Sequence, residues 1–269
     1  MAPSQAWFDS QTAPTPEALS AGDGCHPDEV RALSDYLNDS ISAEKTAKRI
    51  TAPILNEPNP PEQLYRLWGL LSDGMAELTT DDRHKILNLL PHVQSLPPAS
   101  GIQWVDLPGF GSMWDTLNRL HLHGPDPWER SVGSFGREEI DELRRTFAAV
   151  GHAEAKMFLR GVVPACGGYE VLNLACSGRK GVDVFVSEIF AWLETAGGRL
   201  REEMARSEKT VLRFTRPVTS SVRRESMAVE ASLAEHWSEW KEALLRLSRE
   251  GSELSDEGRR TAGRCHGLM

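Results

Sequence analysis

The chain has 269 residues and carries 30 Lys and Arg against 39 Asp and Glu, a net charge of −9. That balance argues against a general binder of nucleic acid or of an anionic membrane, since both partners recruit Lys and Arg to replace counterions. A chain this long buries roughly 70–75% of its unfolded surface as one unit, so its fold needs neither a metal nor a disulfide staple.

The four cysteines, Cys25, Cys166, Cys176 and Cys265, are too dispersed for a disulfide framework. Such sparse usage is ordinary in a reducing compartment. Met1-Ala2-Pro3-Ser4-Gln5 lacks the basic and apolar blocks of a secretory signal. The apolar runs fall far short of the roughly 20 residues a membrane span requires. These features point to a soluble, cytoplasmic protein.

Residues 1–26 are rich in Pro, Ala, Ser, Thr and Gly without apolar periodicity and read as a flexible segment. Pro27 then suits the first turn of a helix whose face carries Val30, Leu33, Tyr36 and Leu37. A second helix follows Ser42 with Ala47, Ile50 and Ile54, and Pro53 must end or kink it. The clearest stripe covers residues 61–78: Leu64, Leu67, Trp68, Leu71, Met75 and Leu78 share one face. Thr79 and Asp82 have capping-box spacing before the next stripe, Ile86, Leu89, Leu90 and Val93, which Pro91 should bend. With so short a connection, these two segments should form a helical hairpin.

Residues 97–111 read as a loop of turn residues with apolar anchors at Trp104, Leu107 and Phe110. A helix is expected from Ser112 through Trp114, Leu117 and His121, stopped at Gly124-Pro125. Long helices follow over 137–159 and 182–206, and Gly197-Gly198 is a possible break in the second, each Gly costing about 1 kcal/mol. Residues 208–221 read as a connecting loop around Pro217, and only 103–107 and 211–214 pass as very short strands. The last strong helix carries Leu233, Trp237, Trp240, Leu244 and Leu247 in a narrow seam, before a short tail with Ser255 as a possible cap. The fold class expected is all-α: residues 27–269 as a single helical domain of about 8–10 helices in an irregular bundle of hairpins.

The sequence lacks the phosphate cradle GxxxxGK[ST], a GxGxxG after a strand, the GxSxG elbow and HExxH. Gly109-Phe110-Gly111 and Gly178-Arg179-Lys180-Gly181 only superficially resemble glycine loops. No cofactor is therefore expected. Nor is a metal: His121 and His123 lie on different faces of a helix, and Cys25-His26 and Cys265-His266 lack zinc-ligand spacing.

Two carboxylates stand out. Glu154 falls among Val150, Met157 and Phe158, and Glu188 between Phe185 and Trp192, so both point with apolar faces. Buried side by side, two such groups would separate in pKa, the basis of an acid–base pair. The competing reading, an ion pair with Arg144, Arg145 or Arg160, weighs more, because structural pairs also bury charge. Trp104 and Phe110, if exposed, would make an apolar patch for a protein partner, as would the Trp237/Trp240 seam.

The stretches LYRLWGLLSDGMAELTTDDRHKILNLLPHV, WVDLPGFG, GHAEAKMF, VFVSEIFAWLETAGGRL and HWSEWKEALLRLSREGSELSDEGRR, in this order, resemble a fungal family, Domain of Unknown Function 3632. The resemblance covers most of residues 28–269 and implies a soluble, largely helical protein. It implies no reaction and carries over no catalytic residue. Members stand beside secondary-metabolite genes, which implies an accessory role in such a pathway. The leading expectation is a non-catalytic accessory or interaction protein acting on a protein partner or a small molecule, with no nucleic acid and no membrane. Its oligomeric state is not set by the sequence. The alternative is a cofactor-independent isomerase or cyclase, or a binding protein, that uses Glu154 and Glu188.

Overall fold

In the computed structural model, which describes residues 5–114, 116–117, 135–177, 181–207, 210–217 and 226–269, the apolar stripes of the sequence become helices. Twelve α-helices and one two-stranded hairpin are present among the described residues, and the fold class is all-α. The chain divides into two compact units, Met1–His123 and Gly124–Met269. No helix among the described residues is long and apolar enough to cross a membrane.

The N-terminal unit contains α1 (Gln5–Gln11), α2 (Pro16–Ala21), α3 (Pro27–Leu37), α4 (Ala43–Leu55), α5 (Leu64–Glu77), α6 (Thr80–Gln94) and α7 (Phe110–Trp114). Caps fix where its helices begin. Ser42 Oγ accepts the Lys45 N–H at 3.3 Å, and Thr79 Oγ1 accepts that of Asp82 at 3.3 Å. Pro53 and Pro91 fall in the final turns of α4 and α6, which end within three residues of them. The core is the set of stripes themselves: Leu33, Ile50, Ile54, Leu67, Leu71, Ile86 and Leu90 are fully buried.

Within the segment 1–26, expected to be flexible, the described residues from 5 onward are a correction, since helices α1 and α2 stand there. Phe8 is buried, and Trp7 Nε1 donates to Glu77 Oε2 at 2.8 Å. Two adjacent aromatics make no period, so the sequence shows no stripe where tertiary contact does the ordering. Gly24 is required here. At φ +96° a side chain is strained, and a Cβ would lie 2.7 Å from the Ala13 nitrogen.

The C-terminal unit contains α8 (Arg137–Leu159), α9 (Cys166–Asn173), α10 (Val182–Arg206), strands β1 (Val211–Pro217) and β2 (Ser226–Ser232), α11 (Leu233–Leu247) and α12 (Asp256–Leu268). Helix α10 packs against both α8 and α12. It runs unbroken through Gly197-Gly198 because Ala196 and Leu200 on either side are buried, and packing overrides propensity. The connecting loop expected over 208–221 is in part strand. β1 pairs antiparallel with β2 from Val211↔Ser232 to Pro217↔Ser226. β2 reads SMAVEAS, whose two alanines and two serines carry little strand preference, so its partner defines it. At the C-terminus Ser255 is the cap its position suggested, its Oγ accepting the Gly258 N–H at 3.1 Å, and the short tail it begins is the 13-residue helix α12.

Candidate functional site

Glu154 on α8 and Glu188 on α10 are both buried, and each lies against the other helix. Glu154 Oε2 accepts the Trp192 indole N–H at 3.0 Å. Glu188 lies against Gly151, where an added Cβ would come within 2.9 Å of the Glu188 carbonyl oxygen and 3.0 Å of its Cγ. The helices meet so closely at that point that not even a methyl group fits between them. Glu154 thus has a structural task, to satisfy a buried indole. Its surroundings there are a packed interface, Phe158 against Trp192 with rings 5.8 Å apart.

The four aromatic interaction candidates are all core. Trp104 and Phe110 pack edge-on against Trp68, with ring centroids 6.5 and 5.4 Å away, and Trp68 Nε1 donates to the Pro108 carbonyl at 2.7 Å. Leu107, at φ +43°, turns the chain so that the anchors on both sides of it point inward. The exposed apolar residue of the loop is Val105, 60% exposed. Trp240 stacks between Tyr169 and His236, and Trp237 is buried beside it. These positions correct the expectation of an exposed aromatic patch: large rings on helix stripes and turn anchors are the first side chains a core takes up.

Cys25 and Cys265 are buried, and their thiols donate to the Arg66 and Val186 carbonyls at 3.4 and 3.8 Å. Burial pushes both thiols up to about 12, so neither is a nucleophile or a ready ligand. No group of three or more His, Cys, Asp or Glu among the described residues is placed to hold a metal ion. His121, His123 and the stretch 178–180 lie outside the described residues.

A different place collects polar chemistry. Between the start of α3 and the end of α4 lies an open recess of about 590 Å³, lined by His26, Asp28, Arg49, Ala52, Pro53, Asn56 and Glu57. Each lining charge is held by a neighbour: Asp28 by Arg31 at 3.0 Å, Arg49 by Asp35 at 2.8 Å and Glu57 by Arg66 at 2.7 Å. His26 caps α3, its Nδ1 accepting the Asp28 N–H at 3.1 Å, which leaves Nε2 as its proton-bearing nitrogen in the neutral ring.

Behind Glu57 the charge goes inward. The Arg66 side chain is 4% exposed, and its field reaches Glu29, which is fully buried. Glu29 Oε2 accepts the His26 N–H at 3.0 Å, while Oε1 and Arg66 Nε make no hydrogen bond among the described residues. Burial pushes the Glu29 carboxyl up to about 7; the His26 N–H and the Arg66 charge oppose that shift, and Glu57 adds to it.

From sequence, Glu29 reads as an ordinary acidic residue at the positive end of a helix. Its signal was the position one residue before Val30, at the edge of the α3 stripe. Arg49, Asn56 and Glu57 carried no signal, because the recess joins the two ends of different helices.

Comparison of the chain with protein-family models, with curated proteins and with solved structures finds no match.

Proposed function

We propose that this chain is a non-catalytic accessory protein that holds a small polar molecule in the recess between α3 and α4. The observation that carries the reading is the recess itself. Its volume of about 590 Å³ lies within the range of roughly 300–1,000 Å³ typical of ligand sites. Its wall offers carboxylates, a guanidinium, an imidazole and an amide in one concavity. Such a wall suits a ligand with both donors and acceptors and gives a purely apolar one little to bind. The pairing of Glu57 in the wall with the buried Arg66 favours fixed geometry over an adaptable surface. The resemblance to the Domain of Unknown Function 3632 family would place that role beside a secondary-metabolite pathway.

Native mass spectrometry of the protein purified from its own source tests the proposal. The expected result is a bound mass of roughly a few hundred daltons, the size such a pocket encloses, lost in the Arg49→Ala/Asn56→Ala double variant. Arg49 and Asp35 are both more than one-third exposed, so losing their pair costs about 0–1 kcal/mol and leaves the fold intact. A bare protein, or a bound mass that survives the double substitution, overturns the assignment. A co-purifying polypeptide in place of a small molecule moves the role to protein interaction.

A further inference from the structure

The hairpin of the C-terminal unit is fastened to its helices by a cluster independent of the recess. On one face of the hairpin Leu212, Phe214 and Arg216 stand opposite Ala231, Val229 and Met227; Arg216 is buried, Leu212 and Phe214 are half-buried, and Met227 is exposed. The Arg216 side chain is only 8% exposed. Its Nη1 pairs with Glu239, its Nε donates to Asn173 Oδ1 at 3.4 Å, and its Nη2 meets His236 Nδ1. Asn173 also donates to the Thr215 carbonyl at 2.8 Å and accepts the Trp240 indole N–H at 3.0 Å.

His236, on the first turn of α11, is fully buried. It stacks on Trp240 at an interplanar angle of 13° and meets Phe214 edge-to-face, with ring centroids 4.8 Å apart. Its Nε2 lies 2.8 Å from the Leu212 carbonyl oxygen. Its two partners fix its protonation. A guanidinium only donates, so Nδ1 accepts; a carbonyl only accepts, so Nε2 carries the proton. The closed arrangement is thus built for the neutral ring.

We propose that Arg216 and His236 form a pH-sensitive latch that holds the β1–β2 hairpin onto α9 and α11 while His236 is neutral and lets it go when His236 is protonated. A proton on Nδ1 sets donor against donor and cation against cation. Arg216 cannot give up its own proton, so it must withdraw, and it carries β1 with it. Leu212 and Phe214 are uncovered when it does.

The other groups around the ring do not rescue the charged form. Glu239 is committed to Arg216 and is half exposed. Glu235 is exposed and caps α11 through Ser232. Cys176, from the turn before α10, stays a neutral thiol, since burial raises its pKa. Asn173 carries no charge. Burial foremost, and the Arg216 charge, hold the imidazole below its ordinary pKa, against the Leu212 carbonyl and Glu235. A base with a lowered pKa binds its proton more readily once released, so the closed state loses stability as pH falls below about 6.5.

The test is hydrogen exchange of the full chain, read locally and corrected for intrinsic rates, alongside NMR titration of the His236 ring. Global stability is the wrong readout. Glu29, raised to about 7, contributes stability that is lost as pH rises over the same range, with the opposite sign. The expected result is that protection of amides 211–216 and 226–232 falls about tenfold per pH unit from about pH 6.5 down to the lower pH at which the closed ring titrates, as linkage to one proton requires. Protection of α10 should not follow.

His236→Asn should flatten the dependence. If that variant does not fold, Arg216→Met should move the ring's titration point upward, toward about 6.5. Constant hairpin protection while the ring titrates, a proton found on Nδ1 at neutral pH, or an unmoved titration point in Arg216→Met each overturns the latch.

Discussion

Trp68 in the N-terminal unit and Trp192 and Trp240 in the C-terminal unit are equally buried, and their indoles are satisfied differently. In the N-terminal unit Trp68 donates to a backbone carbonyl, that of Pro108. In the C-terminal unit Trp192 and Trp240 donate to side chains, Glu154 Oε2 and Asn173 Oδ1. A backbone acceptor comes with the loop's conformation and is present whatever side chains the loop carries. A side-chain acceptor has to be written into the sequence, as a polar residue on an apolar stripe. What looks like buried catalytic chemistry in the C-terminal unit is in good part the cost of burying indoles between helices.

The largest effect expected from this contrast lies in the loop that closes the N-terminal core. Trp104→Ala or Phe110→Ala should destabilise by about 3–5 kcal/mol, the range for a large aromatic removed from a packed site. Chemical denaturation measures it directly. An effect under about 1 kcal/mol, the scale of a surface change, would restore these residues as an exposed patch and break the comparison at its first member.

Next in size is Glu154. Glu154→Leu takes the carboxylate acceptor from the Trp192 N–H at a site 2% exposed, and a cost of about 1–3 kcal/mol is expected. Glu154→Gln keeps an oxygen for the indole and should recover most of it. If Leu is tolerated as well as Gln, the carboxylate is not held for the indole.

Much of the fold was legible in the sequence where one helix face recurred at regular spacing. α8 and α10 have the ends their stripes predict, and α4 and α6 start at the caps Ser42 and Thr79 announce. Legibility failed where order comes from contact between distant segments. α9 contains Gly168, a poor helix former, because the Trp192 ring occupies the space a side chain would need there. β2 is a strand through its ladder with β1. The same holds for the sites. Glu154 and Glu188 showed themselves as charges on apolar stripes. His236 and Arg216 meet only when the hairpin folds back, and Arg49 and Glu57 face the α3 start only once α3 and α4 pack. One-dimensional periodicity carries the first kind of information and none of the second.

The smallest effect separates the units by the rigidity of what their glycines face. A Cβ on Gly168 would fall 2.7 Å from Trp192 Cζ3 and 2.8 Å from Cε3, atoms of a buried ring whose indole is tied to Glu154. A Cβ on Gly74 would fall 2.7 Å from Ile86 Cδ1, the free end of a side chain that can change rotamer. Replacing either helical glycine with Ala also gains about 1 kcal/mol of helix propensity. For Gly168→Ala, overpacking of about 1–3 kcal/mol should exceed that gain and destabilise the protein. For Gly74→Ala, the nearest ring atom, Trp7 Cη2, is at an ordinary contact distance of 3.5 Å, and the two contributions should nearly cancel. Equal shifts in the denaturation midpoints of the two variants would mean that the Trp192 ring yields as easily as an isoleucine methyl, and that its bond to Glu154 does not hold it in place.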